Sequence, residues 1–183
     1  MNTVEPIRDG ELVLDIADYL RGRNQRDYVM FMFGIYSGLR ICDILQVRVR
    51  DVRGKDYIVQ REKKTRKERR FPINKSLKKI LAEYVRDKKD YEFLFKSPNA
   101  PNKPITRQQA YNILSGAGKA FGLDGIGTHT LRKTFGYHLY KQTNDAALVM
   151  DILNHSDIHI TLRYIGVNQD CRDKAYNNLS FSR

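Results

Sequence analysis

Apolar residues recur with helical spacing along most of the chain. After Asp9 and Gly10, a stripe with this spacing predicts a first amphipathic helix. The stripe consists of Leu12, Val13, Ile16, Ala17 and Leu20. Residues 28 to 36, YVMFMFGIY, are apolar on every side, as is typical of a helix buried in the middle of a domain. Ser37 and Gly38 are expected to end that helix, and LRICDILQV begins another.

The pattern changes after Val47. The segments DYIVQREKK (56 to 64) and ERRFPIN (68 to 74) are rich in β-branched, aromatic and charged residues, which predicts two strands joined by a basic turn. Residues 47 to 53 are expected to add a third strand. The prediction is a small three-stranded antiparallel sheet.

Helical signals return in the second half of the chain. Asn74 is a suitable helix cap, and Thr106 with Gln109 resembles a capping box. The segment SPNAPNKP (97 to 104) is the clearest loop. Later helices are expected to begin near Thr128, Asn144 and Asp157, and a last one covers QDCRDKAYNNL. The fold class is therefore mainly α with a small antiparallel sheet (α+β), in a single domain covering residues 1–183.

The charge of the chain indicates what kind of partner it binds. The chain has 33 Lys and Arg against 21 Asp and Glu, a net charge of +12, and REKKTRKERR (61 to 70) concentrates the basic residues. Clustered positive charge of this size predicts a polyanionic partner, nucleic acid first. Nonspecific contacts with a DNA backbone are expected from six of these residues. They are Arg61, Lys63, Arg66, Lys67, Arg69 and Arg70.

Several other classes are not favoured. Cys42 and Cys171 lie far apart and form no metal-ligand or redox spacing, so neither a metal nor a disulfide is expected. The longest apolar stretch is shorter than the roughly 20 residues of a membrane-spanning helix, and the N-terminus lacks the layout of a signal peptide. We expect a soluble, cytoplasmic protein without a membrane partner.

Two segments combine polar groups with apolar surroundings. His129 and Arg132 are three residues apart, so a helix places them on one face, where they could hold an anion together. The second segment, LNHSDIHITLRYIG (153 to 166), contains Tyr164. A half-buried tyrosine usually packs, but a stripe through Ile158, Leu162 and Ile165 would leave Tyr164 about 120° away from it.

Five motifs occur in an order that resembles the catalytic domain of the tyrosine recombinases, the phage integrase family. They are GLRICD, a lysine in a β-turn, HTLR, LNHS, and a tyrosine nine positions after that last histidine. The resemblance runs from about residue 9 to residue 170. It implies that Tyr164 is a nucleophile rather than only a packing residue.

The resemblance also assigns the other positions. It implies two catalytic arginines, two histidines and a supporting acidic residue: Arg40, Arg132, His129, His155 and Asp43. The catalytic lysine aligns best with Lys64, with Lys63 or Lys67 as alternatives. Asn154 stands where the family usually has glycine, and asparagine tolerates left-handed backbone angles. His138 and His159 match no motif and are expected to be structural or surface residues.

The implied reaction is site-specific DNA recombination. Tyrosine attack on a phosphodiester gives a 3′-phosphotyrosyl link and a free 5′ hydroxyl, and strand exchange then leads to integration, excision or inversion without a metal, a nucleotide or any other cofactor. The family usually acts as a tetramer on two double-stranded DNA sites, and we expect the same of this chain. Without DNA we expect a monomer or a weak oligomer. The alternatives are a type IB topoisomerase-like relaxase and a noncatalytic DNA-binding regulator.

The family's usual domain order differs from this chain. Most members carry a helical core-binding domain ahead of the catalytic one, and we expect no such domain here. The chain is then either a trimmed catalytic domain or a minimal recombinase of the kind that inverts fimbrial switches, encoded by a phage, a mobile element or a bacterial inversion system.

Overall fold

The computed structural model describes residues 4–61 and 68–180, and most of them are helical. The helices are α1 (Gly10–Arg23), α2 (Gln25–Ser37), α3 (Ile41–Ile44), α4 (Lys75–Tyr84), α5 (Arg107–Ala120), α6 (Thr128–Thr143), α7 (Ala146–Ile152), α8 (Ile158–Tyr164) and α9 (Val167–Asn177). The strands are β1 (Tyr57–Arg61) and β2 (Glu68–Pro72). Among these helices none has both the length and the apolarity needed to cross a membrane.

Local side-chain caps begin the helices where the sequence predicts them. The Asp9 carboxylate accepts a hydrogen bond from the Glu11 amide at 2.8 Å, at the start of α1. The Thr106 hydroxyl accepts from the Gln109 amide at 3.1 Å, and the Gln109 side chain accepts from the Thr106 amide at 2.8 Å. These caps satisfy amides that have no partner within the helix, and the predicted capping box at α5 is confirmed.

In the described residues the sheet has two strands, so the expected third strand at 47 to 53 is wrong. β1 and β2 pair antiparallel, with Ile58 opposite Phe71. Val49–Asp51 instead form a 3-10 turn, which the Asp51 carboxylate closes by accepting from the Arg48 amide at 2.8 Å. Arg48 makes an isolated bridge to Phe93, and the turn ends the extended backbone there.

Two hydrophobic clusters lie on either side of α6. The larger one contains the buried faces of α1, α2, α4 and α5 together with Leu131 of α6. The smaller one contains Tyr137 of α6 and the buried residues of the C-terminal helices, Val149, Leu153, Ile165 and Val167. The buried helix predicted at 28 to 36 is confirmed, since residues 28 to 34 of α2 are all buried. Because α6 contributes to both clusters, its position fixes one relative to the other.

The N-terminal segment is fixed to α6 by hydrogen bonds. The Ile7 amide donates to the Thr134 hydroxyl at 2.9 Å, and the Ile7 carbonyl lies 3.0 Å from Nε2 of His138. Arg8 continues the connection with a salt bridge to Asp170 of α9 at 2.7 Å. The structural role expected for His138 is confirmed.

Two glycines of α5 provide a matched test of this packing. A Cβ at Gly118 would lie 2.6 Å from Cβ of Ile126, just ahead of α6, whereas a Cβ at Gly116 would meet nothing within 4 Å. Gly116→Ala should therefore raise the free energy of unfolding by about 1 kcal/mol through helix propensity alone. The free energy of unfolding of Gly118→Ala should be about 1–3 kcal/mol lower than that of Gly116→Ala, because overpacking usually costs this much.

Urea unfolding of the two variants measures this difference. Equal stabilities would show that the close contact between α5 and Ile126 does not constrain the start of α6.

Candidate active site

The centre of the site is the buried guanidinium of Arg132, on the first turns of α6. Its side chain is 6% exposed and donates hydrogen bonds to the carbonyls of Gly38 and Leu153. Gly38 ends α2 in the left-handed conformation, with φ 62°, and a Cβ there would lie 2.3 Å from the ring of Phe135. Arg132 thus joins the turn after α2 to the turn after α7.

A cavity of about 120 Å³ opens next to this guanidinium. The first residues of α3, α5 and α6 line it, so the starts of three helices meet there. Its polar lining consists of Arg40, Cys42, Arg107, Thr128, His129 and Arg132. Arg40 is exposed at the cap of α3, whereas Arg132 is buried beneath it. This combination of guanidiniums and helix N-termini is suited to bind a phosphate.

His129 is the second residue of α6 and belongs to this lining. Burial lowers the pKa of His129, and the positive charges of Arg107, Lys133, Arg132 and Arg40 lower that pKa further. The imidazole is therefore neutral at neutral pH and can accept a proton.

His155 follows a left-handed Asn154, with φ 50°, so the backbone conformation expected for this asparagine is confirmed. Nδ1 of His155 lies 3.1 Å from the hydroxyl of Thr161, and that hydroxyl donates its own proton to the Asp157 carbonyl at 2.9 Å. The hydroxyl must accept from Nδ1, so the ring carries a proton on Nδ1. Burial, with Arg132 and Arg40, lowers the pKa of His155. Its Nε2 can donate to a phosphate oxygen only in the imidazolium form.

Tyr164 ends α8 and is half-buried. Its ring contacts His155 edge-to-face at a centroid distance of 4.9 Å, and Nζ of Lys133 lies 5.1 Å from the ring centroid. Burial raises the pKa of the Tyr164 phenol, while the charges of Arg132 and Arg40 and a hydrogen bond from Arg132 lower it. The hydroxyl thus lies beside the guanidinium that borders the cavity, still protonated at neutral pH.

The predicted core stripe of α8 is partly wrong. Ile165 is fully buried and Leu162 packs against the smaller cluster, but Ile158 is 38% exposed. Ile158 lies on the first turn of a short helix that Asp157 caps, and Thr161 takes the buried position instead. Tyr164 also packs against the smaller cluster, so it is a packing residue whose hydroxyl reaches the site.

The predicted basic turn lies mostly outside the described residues. This applies to Lys64, to its alternatives Lys63 and Lys67, and to Arg66. Arg61 ends β1 and Arg69 lies in β2, while Arg70 is exposed on β2 opposite Val59. Their expected DNA contacts remain predictions.

Two residues near the site carry no motif and were not predicted. Arg107 begins α5, and Lys133 directly follows Arg132. For Arg107, the only signal in the sequence is the predicted cap at Thr106, directly before it. Asp43, expected to support the site, is half-buried in α3, and its amide donates to the Arg40 carbonyl at 2.8 Å.

The two arginines allow a test of how the site depends on the fold. Arg132→Ala should lower the free energy of unfolding by about 2–4 kcal/mol, because two buried carbonyls lose their donor. Arg40→Ala, at an exposed position, should change it by no more than about 0.5 kcal/mol. Chemical denaturation of both variants gives the comparison, and equal losses would mean that the Arg132 bonds do not support the fold.

Known proteins resemble this chain over nearly its full length. The family model described as "Phage integrase family" matches residues 9–170. The probable integrase/recombinase YoeC of Bacillus subtilis (strain 168) is 51% identical over 176 residues, which cover 96% of this chain and 97% of YoeC. Tyrosine recombinase XerD of Listeria innocua serovar 6a is 28% identical, over 88% of this chain and 57% of XerD.

Solved structures agree on the fold. The XerA recombinase structure matches with a TM-score of 0.75 at 19% identity, covering 99% of this chain and 66% of that one. XerH site-specific recombinase bound to palindromic difH substrate matches with a TM-score of 0.70 at 20% identity, covering 97% of this chain and 54% of that one. The chain thus spans nearly all of YoeC and a little over half of XerD and XerH. It belongs to the phage integrase family and forms the catalytic domain of a tyrosine recombinase.

Proposed function

We propose that the cavity beside Arg132 binds a phosphodiester of double-stranded DNA and that Tyr164 attacks its phosphorus. The observation that carries this proposal is the position of Tyr164: its ring packs edge-to-face on His155 at a centroid distance of 4.9 Å, and its phenol, whose pKa burial raises, is close enough to Arg132 and Arg40, which both line the cavity, for their charges to lower that pKa. The tyrosine oxygen forms a bond to phosphorus, and the bond from phosphorus to the 5′ oxygen breaks. The products are a 3′-phosphotyrosyl link and a free 5′ hydroxyl.

Charge stabilisation in this reaction comes from the two arginines. The pentacovalent transition state concentrates negative charge on the non-bridging oxygens, and guanidiniums remain protonated while bonding two oxygens at once. Arg40 is exposed and free to close on the phosphate, whereas Arg132 is already held in place by its carbonyl bonds. Preorganisation of this kind avoids reorganisation during the reaction.

One proton leaves the attacking tyrosine oxygen, and another is added to the departing 5′ oxygen. The phenol must lose its proton, and His129 is the neutral base in the cavity lining. His155 lies against the Tyr164 ring and binds a phosphate oxygen through Nε2. The departing 5′ oxygen takes a proton from a lysine of the basic turn, which we assign to Lys64. Attack by a 5′ hydroxyl of another strand then reverses these steps and joins new partners.

The solved structures of relatives bound to DNA support a proposal for the assembled reaction. XerH is described with its difH substrate, and a lambda integrase dimer is bound to a core site. We propose that this chain likewise acts on paired recombination sites, as a tetramer, in the cytoplasm of a bacterium. A type IB topoisomerase would reseal the same strand, so strand exchange between two marked duplexes distinguishes the two activities.

Covalent trapping tests the nucleophile. Wild-type protein incubated with nicked suicide duplexes carrying candidate attachment sites should give an adduct that survives denaturing electrophoresis, and Tyr164→Phe should give none. Tyr176→Phe is the matched control, because this tyrosine is 78% exposed on α9, and it should form the adduct at the wild-type rate. An adduct with Tyr164→Phe would refute the proposed mechanism.

A modified leaving group tests the lysine. Lys64→Ala should slow cleavage of the normal substrate about 100-fold or more, as loss of a general acid does. On a substrate with sulfur in place of the bridging 5′ oxygen, the same variant should cleave within a few-fold of wild type, because a thiolate leaves without protonation. If the sulfur substrate instead restores cleavage by Lys63→Ala or by Lys67→Ala, and not by Lys64→Ala, the lysine whose variant is restored is the general acid.

A further inference from the structure

Arg107 lines the same cavity as Arg40, His129 and Arg132, although no motif marks it. We propose that Arg107 is a third guanidinium of the phosphate site and binds the non-bridging oxygens of the phosphodiester that Tyr164 attacks. This inference rests on the proposed function and adds a substrate-contacting residue to it.

The backbone around Arg107 is held in place. Arg107 is the first residue of α5, directly after the Thr106 capping box. At the other side of the cavity, the ring of Tyr111 packs over Gly127, where a Cβ would lie 3.1 Å from the ring. The start of α5 and the start of α6 therefore adjoin each other, so Arg107 and His129 face one cavity from two rigid elements.

The charge of Arg107 is available to a ligand. Its side chain is exposed, and no carboxylate in residues 4–61 and 68–180 forms a salt bridge with it. The other groups around His129 are also cationic, namely Lys133, Arg132 and Arg40. After burial, Arg107 has the largest effect of these charges in lowering the pKa of His129.

Such a cluster of like charges has a direct consequence. Guanidiniums that repel one another in the free protein gain energy when an anion enters between them, and each can form paired hydrogen bonds to phosphate oxygens. Arg40 and Arg132 approach the cavity from α3 and α6, and Arg107 approaches it from α5. A phosphate in the cavity would thus meet guanidiniums from three helices.

The first measurement is the rate of adduct formation on a nicked suicide duplex. Arg107→Ala should cleave about 10- to 100-fold more slowly than wild type, and Arg107→Lys should lie between them because it keeps the charge without the paired geometry. Lys119→Ala is the control, since Lys119 is an exposed cation in the last turn of α5, about 18 Å along the helix. It should cleave within twofold of wild type. An Arg107→Ala rate equal to that of Lys119→Ala would overturn the inference, while the wild-type adduct would still support the proposed function.

A neutral phosphate identifies which phosphodiester Arg107 contacts. Methylphosphonate replaces one charged oxygen by a methyl group, and it is placed in turn at the scissile position and at each flanking position. At the scissile position the loss caused by Arg107→Ala should shrink to less than about threefold, because the neutral methylphosphonate no longer carries the negative charge that Arg107 stabilises. An undiminished loss at that position would show that Arg107 does not act on the reacting phosphate.

Equilibrium binding tests the inference without requiring DNA cleavage. In a Tyr164→Phe background, the affinity for an intact labelled duplex is measured as salt is raised. Arg107→Ala should reduce the slope of log K against log salt by about 0.9, the value for one lost phosphate contact, compared with the Tyr164→Phe parent. An unchanged slope would overturn the inference even if the wild-type protein formed no adduct, and a reduced slope would support the phosphate contact in the same circumstance.

Discussion

The two hydrogen bonds from the buried Arg132 guanidinium to the carbonyls of Gly38 and Leu153 are the constraint on which the site depends. A buried cation is costly unless its donors are satisfied. Carbonyls at the ends of helices are the backbone acceptors that lack a partner within the helix. The end of α2 and the end of α7 supply one each. The arginine can be buried only when both turns are in place.

This arrangement makes the geometry of the site a property of the whole fold. Arg40 follows the turn at Gly38, and His155 follows the turn at Leu153, so each reaches the site because Arg132 holds the turn before it. Leu131 and Tyr137 embed the same helix in both hydrophobic clusters. A guanidinium has five N–H donors, so it can form more hydrogen bonds than the two to these carbonyls. One side chain thus serves packing, positioning and charge.

Local features could be predicted from the sequence, and contacts between distant segments could not. The caps at Asp9 and Thr106 and the left-handed Asn154 depend on a few neighbouring residues. The prediction of a third strand is wrong because the Asp51 side chain closes a turn, which the pattern of residue types along the chain does not reveal. The family order of motifs indicated Arg40, His129, Arg132, His155 and Tyr164 together. Arg107 belongs to no such motif, and only the packing of α5 beside α6 brings it to the cavity.

The protonation states around the cavity follow from the same cluster of positive charge. Arg132 and Arg40 lower the pKa of both His129 and His155, so neither ring carries a charge in the free protein at neutral pH. A bound phosphate offsets those charges and raises both pKa values. The proposed roles make different demands on the two rings: His129 must stay neutral to accept the phenol proton, whereas His155, with Nδ1 already protonated against Thr161, needs a second proton on Nε2 to donate to the phosphate. The proposed mechanism therefore requires the phosphate to raise the pKa of His155 more than that of His129, while the free protein keeps Tyr164 protonated and half-buried.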